Sequence, residues 1–160
     1  MIEAAYLLRE RLAGLGLTSF VKTTGGKGLH VVVPLTPEAD WDVVKAFSRA
    51  VAESIVRESP REYIATMSKQ KRRGKIFIDY LRNGRGATSI AAYSTRKRRN
   101  APISTPLAWV ELTKDLRPDR YDIRNIRERL AELAEDPWGE YFSVRQTITE
   151  EMKKKVGLQD

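Results

Sequence analysis

At 160 residues, 41% hydrophobic and 31% charged, the chain has the size and composition of one ordinary domain with a soluble surface, which excludes a multidomain machine. With no cysteine and a single histidine, a disulfide framework, a thiolate metal site and multi-histidine zinc chemistry are excluded as well. The net charge of +8 is concentrated: residues 69–99 hold eleven of the 29 Lys and Arg against one acid, Asp79, a local balance of +10, while the rest carries 18 basic and 20 acidic residues. A strongly basic stretch in a slightly acidic background reads as an electrostatic footprint for a polyanion, with a solvated basic loop as the plainer reading. No apolar run approaches the roughly 20 residues needed to span a bilayer. Met1-Ile2-Glu3-Ala4 lacks the basic start and apolar stretch of a signal peptide, so a cytoplasmic location without membrane contact is expected.

In chain order, Ala5, Leu8, Leu12 and Leu15 at helical spacing predict a helix from Ile2 to Gly14 or Gly16. Ser19 to Thr23 and Leu29 to Val33 flank the turn Gly25-Gly26-Lys27-Gly28 and predict a hairpin closed by Pro34. Thr36-Pro37-Glu38 leads into a stripe of Trp41, Val44, Phe47, Val51 and Ile55, a helix to about Arg57. Pro60 to Ser68 reads as a turn or short helix, Lys75 to Leu81 as a strand and Ala87 to Ala92 as a second short strand. Pro102 and Pro106 punctuate a loop before Leu107 to Leu112. Helices are expected at Ile123 to Ala134 and Thr147 to Lys155. With no repeat or low-complexity block, residues 1–160 are expected to form a single domain of class α+β, a small, mainly antiparallel sheet with flanking helices.

Two places can carry chemistry. In Thr23-Thr24-Gly25-Gly26-Lys27-Gly28-Leu29-His30, three glycines permit close backbone approach and an anion-binding nest of amides; Thr24 adds a hydroxyl, Lys27 a mobile cation and His30 a donor. Lys27 is followed by Gly28 and not by the Ser or Thr of a Walker loop. On the glycine pattern alone a plain hairpin turn is the simpler reading, and His30 is equally readable as a core residue. Asp79, inside Ile76-Phe77-Ile78-Asp79-Tyr80, shares a strand face with Phe77 by alternation, and is either a metal ligand near polyphosphate or one half of a structural ion pair. Asp40-Trp41-Asp42 sits at a helix start, where side chains two apart diverge, so these carboxylates are expected to cap the helix. Trp109, Trp138 and Phe142 are read as core in preference to base-stacking platforms.

Taken together, Thr-Thr-Gly-Gly-Lys-Gly-Leu-His followed by Val-Val-Val-Pro, then Lys-Arg-Arg-Gly-Lys-Ile-Phe-Ile-Asp-Tyr-Leu-Arg-Asn, resembles the polymerase domain of bacterial DNA ligase D, of the archaeo-eukaryotic primase superfamily. Ala92-Tyr93-Ser94-Thr95-Arg96, Ser104-Thr105-Pro106-Leu107-Ala108-Trp109 and Tyr121-Asp122-Ile123-Arg124-Asn125 continue the resemblance in order. It implies a primase-polymerase fold with an RRM-like palm, and template-directed nucleotidyl transfer at DNA breaks in nonhomologous end joining. Thr24, Lys27 and His30 then look like the motif that holds the incoming nucleotide's phosphates, with Arg72 and Arg96 as further nucleotide contacts and Asp79 as the catalytic metal ligand. Arg98 and Arg99 are suggested by charge alone as DNA-backbone contacts.

The resemblance also implies Mn or Mg as cofactor, DNA ends and nucleoside triphosphates as ligands, Ku and a ligase module as partners, and work at the nucleoid. The family's Asp-x-Asp pair is expected on a strand before the first helix, outside residues 1–160. A carboxy-terminal portion, inactive in primer extension on its own, is therefore expected; the alternative is a non-catalytic nucleotide- or DNA-binding remnant or subunit.

Overall fold

The structure, a computed structural model, describes residues 1–68 and 70–158; Lys69 of the basic stretch lies outside the described residues. It divides into two compact units, one formed by residues 1–34 and 90–144 and the other by residues 35–89 and 145–160.

The first unit opens with helix α1, Ile2–Gly14. The helix ends because Gly16 adopts φ +83, letting the Gly16 amide reach the Ala13 carbonyl and the Leu17 amide the Leu12 carbonyl, so the last carbonyls are capped. Strand β1, Phe20–Thr23, pairs antiparallel with β2, Leu29–Val32, in the hairpin expected from the glycine turn. On its other side β1 pairs antiparallel with β5, Pro106–Leu107, giving the order β2-β1-β5. Alternation sends Val21 to one face with its register partners Val31 and Leu107. There Val21, Leu107, Ala5, Leu112 and Leu116 form a buried apolar cluster, flanked by Tyr6, Leu29, Val31 and Trp109. A 3₁₀ turn, Trp109–Glu111, follows β5; the Trp109 indole donates to the Ser19 carbonyl at 2.9 Å, and the Tyr6 hydroxyl to the Trp109 carbonyl at 2.6 Å. On the opposite face Phe20 packs edge-on against Trp138 and Tyr141, and the Trp138 indole donates to the Val21 carbonyl at 3.0 Å. Trp109 and Trp138 thus serve the core as expected, whereas Phe142 is 85% exposed and does not.

In the second unit, helix α2, Trp41–Glu58, buries Phe47, Ala50, Val51, Ala52, Ser54 and Ile55. Its start is set by Asp40, whose carboxylate accepts from the Asp42 and Val43 amides at 3.0 and 2.8 Å. Helix α2 packs on β3, Tyr63–Ile64, which pairs in parallel with β4, Ile76–Phe77. The unit closes with α4, Glu150–Lys155, capped by the Thr149 hydroxyl.

Several boundaries differ from the sequence expectation, each for a local reason. The segment from Pro60 to Ser68 opens with the expected turn, at residues 60–62, and then adds strand β3, which was not expected. The strand expected over 75–81 is confined to Ile76–Phe77, because the Asp79 carboxylate accepts the Leu81 amide at 3.0 Å and turns the chain. Residues 87–92 form no strand. Carbonyls there go to cations instead of a ladder: Thr88 accepts from Arg82 at 2.8 Å, and Ile90 accepts from the Lys22 ammonium. Helix α3 spans Ile126–Glu132 and not 123–134, since Asp122 binds the Arg124 amide and guanidinium in a preceding turn. The Thr149 cap delays α4 by three residues relative to Thr147.

Replacing the α2 cap by Asp40→Ala is expected to cost about 1 kcal/mol, lowering the thermal midpoint by roughly 2–4 °C, while Asp40→Asn holds close to wild type. Thermal unfolding followed by circular dichroism checks both.

Candidate phosphate-binding site

The glycine turn is organised from below by Thr24. Its hydroxyl donates to the Gly28 carbonyl at 2.8 Å and accepts from the Gly26 and Gly28 amides at 3.2 and 3.4 Å. Thr24 is buried, so its hydroxyl closes the loop, leaving the Gly25 and Lys27 amides outside the turn's own hydrogen bonds. Lys27 is exposed at the tip. His30, half-buried on β2, stands directly opposite Lys22 on β1.

The basic loop meets this turn within the same unit. Gly25 has φ +60, and a Cβ there would lie 3.0 Å from the Arg96 Cγ and 3.0 Å from the Pro102 carbonyl oxygen. Only glycine allows that approach. A Cβ on Gly26 would lie 3.9 Å from the Arg98 guanidinium. Arg96 to Ala101 forms a closed loop, with the Arg96 amide donating to Pro102 at 2.8 Å and the Ala101 amide to Arg98 at 2.9 Å. Arg98 and Arg99 are exposed on it. The structure therefore brings Thr24, Lys27, Arg96 and Arg98 together around one glycine turn, with His30 on the adjoining strand: backbone amides and mobile cations in an arrangement suited to phosphate.

Lys22 completes this side of the sheet, and sequence reasoning passed over it. It is 4% exposed, and its ammonium donates to the Ile90 carbonyl and to the Ser104 hydroxyl, the latter at 2.7 Å. Burial, with a smaller contribution from the neighbouring Arg96 guanidinium, pushes its pKa down to about 8. The detectable signal was a lysine inside an otherwise inward-facing run, Phe20-Val21-Lys22-Thr23.

Arg72 and Asp79 belong to the second unit. The Arg72 guanidinium lies 3.6 Å over the Phe77 ring and its Nε donates to the Thr66 carbonyl at 3.1 Å. Asp79 is exposed, holds the Leu81 amide and stands 3.8 Å from Arg82 Nε, beyond the range of a hydrogen bond. Both side chains thus have local structural roles. A groove of about 580 Å³ in the first unit, lined by Arg9, Phe20, Trp109 and Val110 among others, contains none of the site residues.

A family model described as LigD, primase-polymerase domain, matches residues 1–138. The chain belongs to that family. It is 42% identical over 158 residues to the multifunctional non-homologous end joining protein LigD of Pseudomonas aeruginosa, covering 98% of this chain and 19% of that protein. To the multifunctional non-homologous end joining DNA repair protein LigD of Mycobacterium tuberculosis it is 34% identical over 137 residues, 85% of this chain and 17% of the relative. The solved polymerase domain from Mycobacterium tuberculosis Ligase D in complex with DNA superposes with a TM-score of 0.76 at 33% identity, over 81% of this chain and 45% of that one. The chain thus spans about a fifth of the length of these curated relatives.

For a LigD primase-polymerase the sequence resemblance implies a divalent metal, Mn or Mg. Among the described residues no group of three or more His, Cys, Asp or Glu side chains is placed to hold a metal, and a two-metal centre needs several bridging carboxylates. The exposed Asp79 alone does not supply them, so the described residues do not fit the metal implied for the family.

Two outcomes are expected from this geometry. Gly25→Ala, which forces a positive φ and crowds Arg96 and Pro102, is expected to destabilise the protein by about 1–3 kcal/mol in urea unfolding. Because Lys22 ionises near 8 in the folded chain and at 10.5 ordinarily, the folded state binds fewer protons across that window. Stability attributable to Lys22 therefore rises as pH climbs from about 8 to 10.5, and Lys22→Met abolishes the rise in pH-dependent urea midpoints.

Proposed function

We propose that the chain serves template-directed nucleotidyl transfer at DNA breaks, as part of a ligase D-type polymerase domain in nonhomologous end joining. Its contribution from the described residues is the binding of nucleoside triphosphate and DNA phosphates. The observation that carries this reading is the packing of Arg96 and Arg98 onto the glycine turn that presents Lys27. Thr24 shapes the turn, Lys27 and Arg96 take the triphosphate and His30 flanks it. Arg98 and Arg99 face DNA phosphates. Arg72 and Asp79 enter on the motif resemblance, Arg72 as a nucleotide contact and Asp79 as the catalytic carboxylate. Family membership suggests DNA ends as the working substrate and Ku and a ligase module as partners at the nucleoid. No catalytic step is assigned to the metal that Mn or Mg would supply, since the described carboxylates do not form its site.

The division of the site predicts different responses to mutation. Lys27→Ala is expected to weaken nucleoside triphosphate binding by about tenfold, with little effect on DNA, because one loop lysine at the turn serves the triphosphate. Neutralising Arg98 and Arg99 together is expected to flatten the salt dependence of duplex binding by up to about two counterions, roughly 0.9 for each phosphate that is no longer neutralised. Titrations of labelled nucleotide and labelled duplex at several salt concentrations separate the two effects. Equal losses on both ligands in both variants would overturn the division.

A further inference from the structure

We infer that Lys22 is a positioning residue of the triphosphate site, holding the segment that carries Arg96 and Arg98 against the glycine turn and coupling phosphate binding to its own protonation. The inference rests on the reading that this turn binds polyphosphate.

The geometry is specific. Lys22 lies two residues before Thr24, on the strand that leads into the turn, and its ammonium reaches away from that strand to two points of the opposing segment: the Ile90 carbonyl and the Ser104 hydroxyl. Ser104 in turn donates to the Thr23 carbonyl at 2.9 Å, and its own backbone holds residues 93 and 94: the Tyr93 amide donates to the Ser104 carbonyl at 2.6 Å and the Ser104 amide to the Ser94 carbonyl at 3.0 Å. Arg96 follows two residues later and rests on Gly25. A single buried ammonium thus ties both ends of the stretch from Ile90 to Ser104, which contains Arg96, Lys97, Arg98 and Arg99, to the strand that carries the phosphate turn.

The charges around Lys22 are unbalanced. The charged neighbour that bears on it is another cation, Arg96; His30 faces it across β2, and Pro106, its partner on β5, carries no charge. No carboxylate among the described residues forms an ion pair with it. A buried ammonium beside a guanidinium is costly until an anion arrives. Polyphosphate bound at the turn supplies that anion, favours the charged form of Lys22 and so draws in a proton. By linkage, affinity falls as pH rises through the range in which Lys22 discharges.

The test uses the full chain and inorganic tripolyphosphate as probe, followed by calorimetry in two buffers of different ionisation heat between about pH 7.5 and 9.5. Lys22→Met is expected to weaken binding at least about tenfold at the lower pH, as for removal of a charge-assisted hydrogen bond. Lys22→Arg keeps the cation without a titrating proton, so it is expected to restore binding at the lower pH while losing both the proton uptake and the steep pH dependence of wild type. Ser104→Ala, which removes one acceptor and leaves the ammonium in place, is expected to weaken binding less than Lys22→Met. If Lys22→Met does not fold, the comparison of wild type with Lys22→Arg still decides. Equal proton uptake in wild type and Lys22→Arg overturns the inference while leaving the phosphate site intact. Failure of folded wild type to bind tripolyphosphate at all overturns the phosphate-site reading and the inference with it.

Discussion

The candidate site depends on a buried polar seam between β1 and residues 103–105. The β1–β5 ladder is only two residue pairs long, Val21 with Leu107 and Lys22 with Pro106, and Pro106 has no amide to donate. Side chains complete what the backbone cannot. The Thr23 amide donates to the Thr105 carbonyl at 2.9 Å, the Thr105 amide to the Thr23 hydroxyl at 2.9 Å, and that hydroxyl to the Ile103 carbonyl at 3.2 Å. The Ser104 hydroxyl donates to the Thr23 carbonyl, and Lys22 donates to Ser104. Thr23, Ser104 and Thr105 are each at most 1% exposed. A buried donor or acceptor left unmade costs about 1–3 kcal/mol, so a seam in which each group answers another tolerates little slippage. Register along β1 is thereby transmitted to residues 103–105.

From the seam, order passes outward to the cations. Ile103 bridges Thr95, Pro102 bridges Asp122, and the Arg96 amide closes onto Pro102. The loop so enclosed and its approach are strained: Asn100 and Ala101 within it, and Tyr93 just before it, adopt positive φ of 67, 45 and 61° without being glycine. Each such residue costs of order 1–3 kcal/mol and persists only where its surroundings determine it. Asp122 adds an outer restraint. Its carboxyl is held below the usual range chiefly by the Arg124 side chain, so it remains charged and keeps the turn that pairs with Pro102. Strain is thus concentrated beside Arg96 and Arg98, on a loop held by the buried seam.

How legible this was in the sequence depended on whether a feature was local. Helix α1 and the β1–β2 hairpin follow from spacing and from the glycines that end or turn them, and the capping role of Asp40 from its place before Trp41. The meeting of Gly25 with Arg96 was legible only through the order of motifs, because nothing in either segment alone encodes a contact across some seventy residues. Failures of reading came where a side chain outcompeted the backbone for its own hydrogen bonds. Asp79 cut short β4 by taking the Leu81 amide, and Arg82 and Lys22 withdrew carbonyls from a strand expected near residue 90. Lys22 was missed because a lysine in a strand is ordinarily a surface residue, and only its acceptors, the Ile90 carbonyl and the buried Ser104 hydroxyl, reveal it as an interior one.

The same competition changes the meaning of the +10 stretch. Its described cations are divided between the units: Lys71, Arg72, Arg73, Lys75, Arg82 and Arg85 in one, and Arg96, Lys97, Arg98 and Arg99 in the other. In the former, three are bound to carbonyls, Arg72 to Thr66, Lys75 to Pro60 and Arg82 to Thr88. Such cations stabilise loops that lack a ladder, and their charge is partly committed to that task. In the latter, Arg96 and Arg98 rest by their stems and guanidinium on glycines, where the absent Cβ leaves room and the contact uses up no donor. A footprint for a polyanion requires cations whose donors are still available, a condition that Arg72, Lys75 and Arg82 do not meet and that Arg96 and Arg98 meet side by side at one glycine turn.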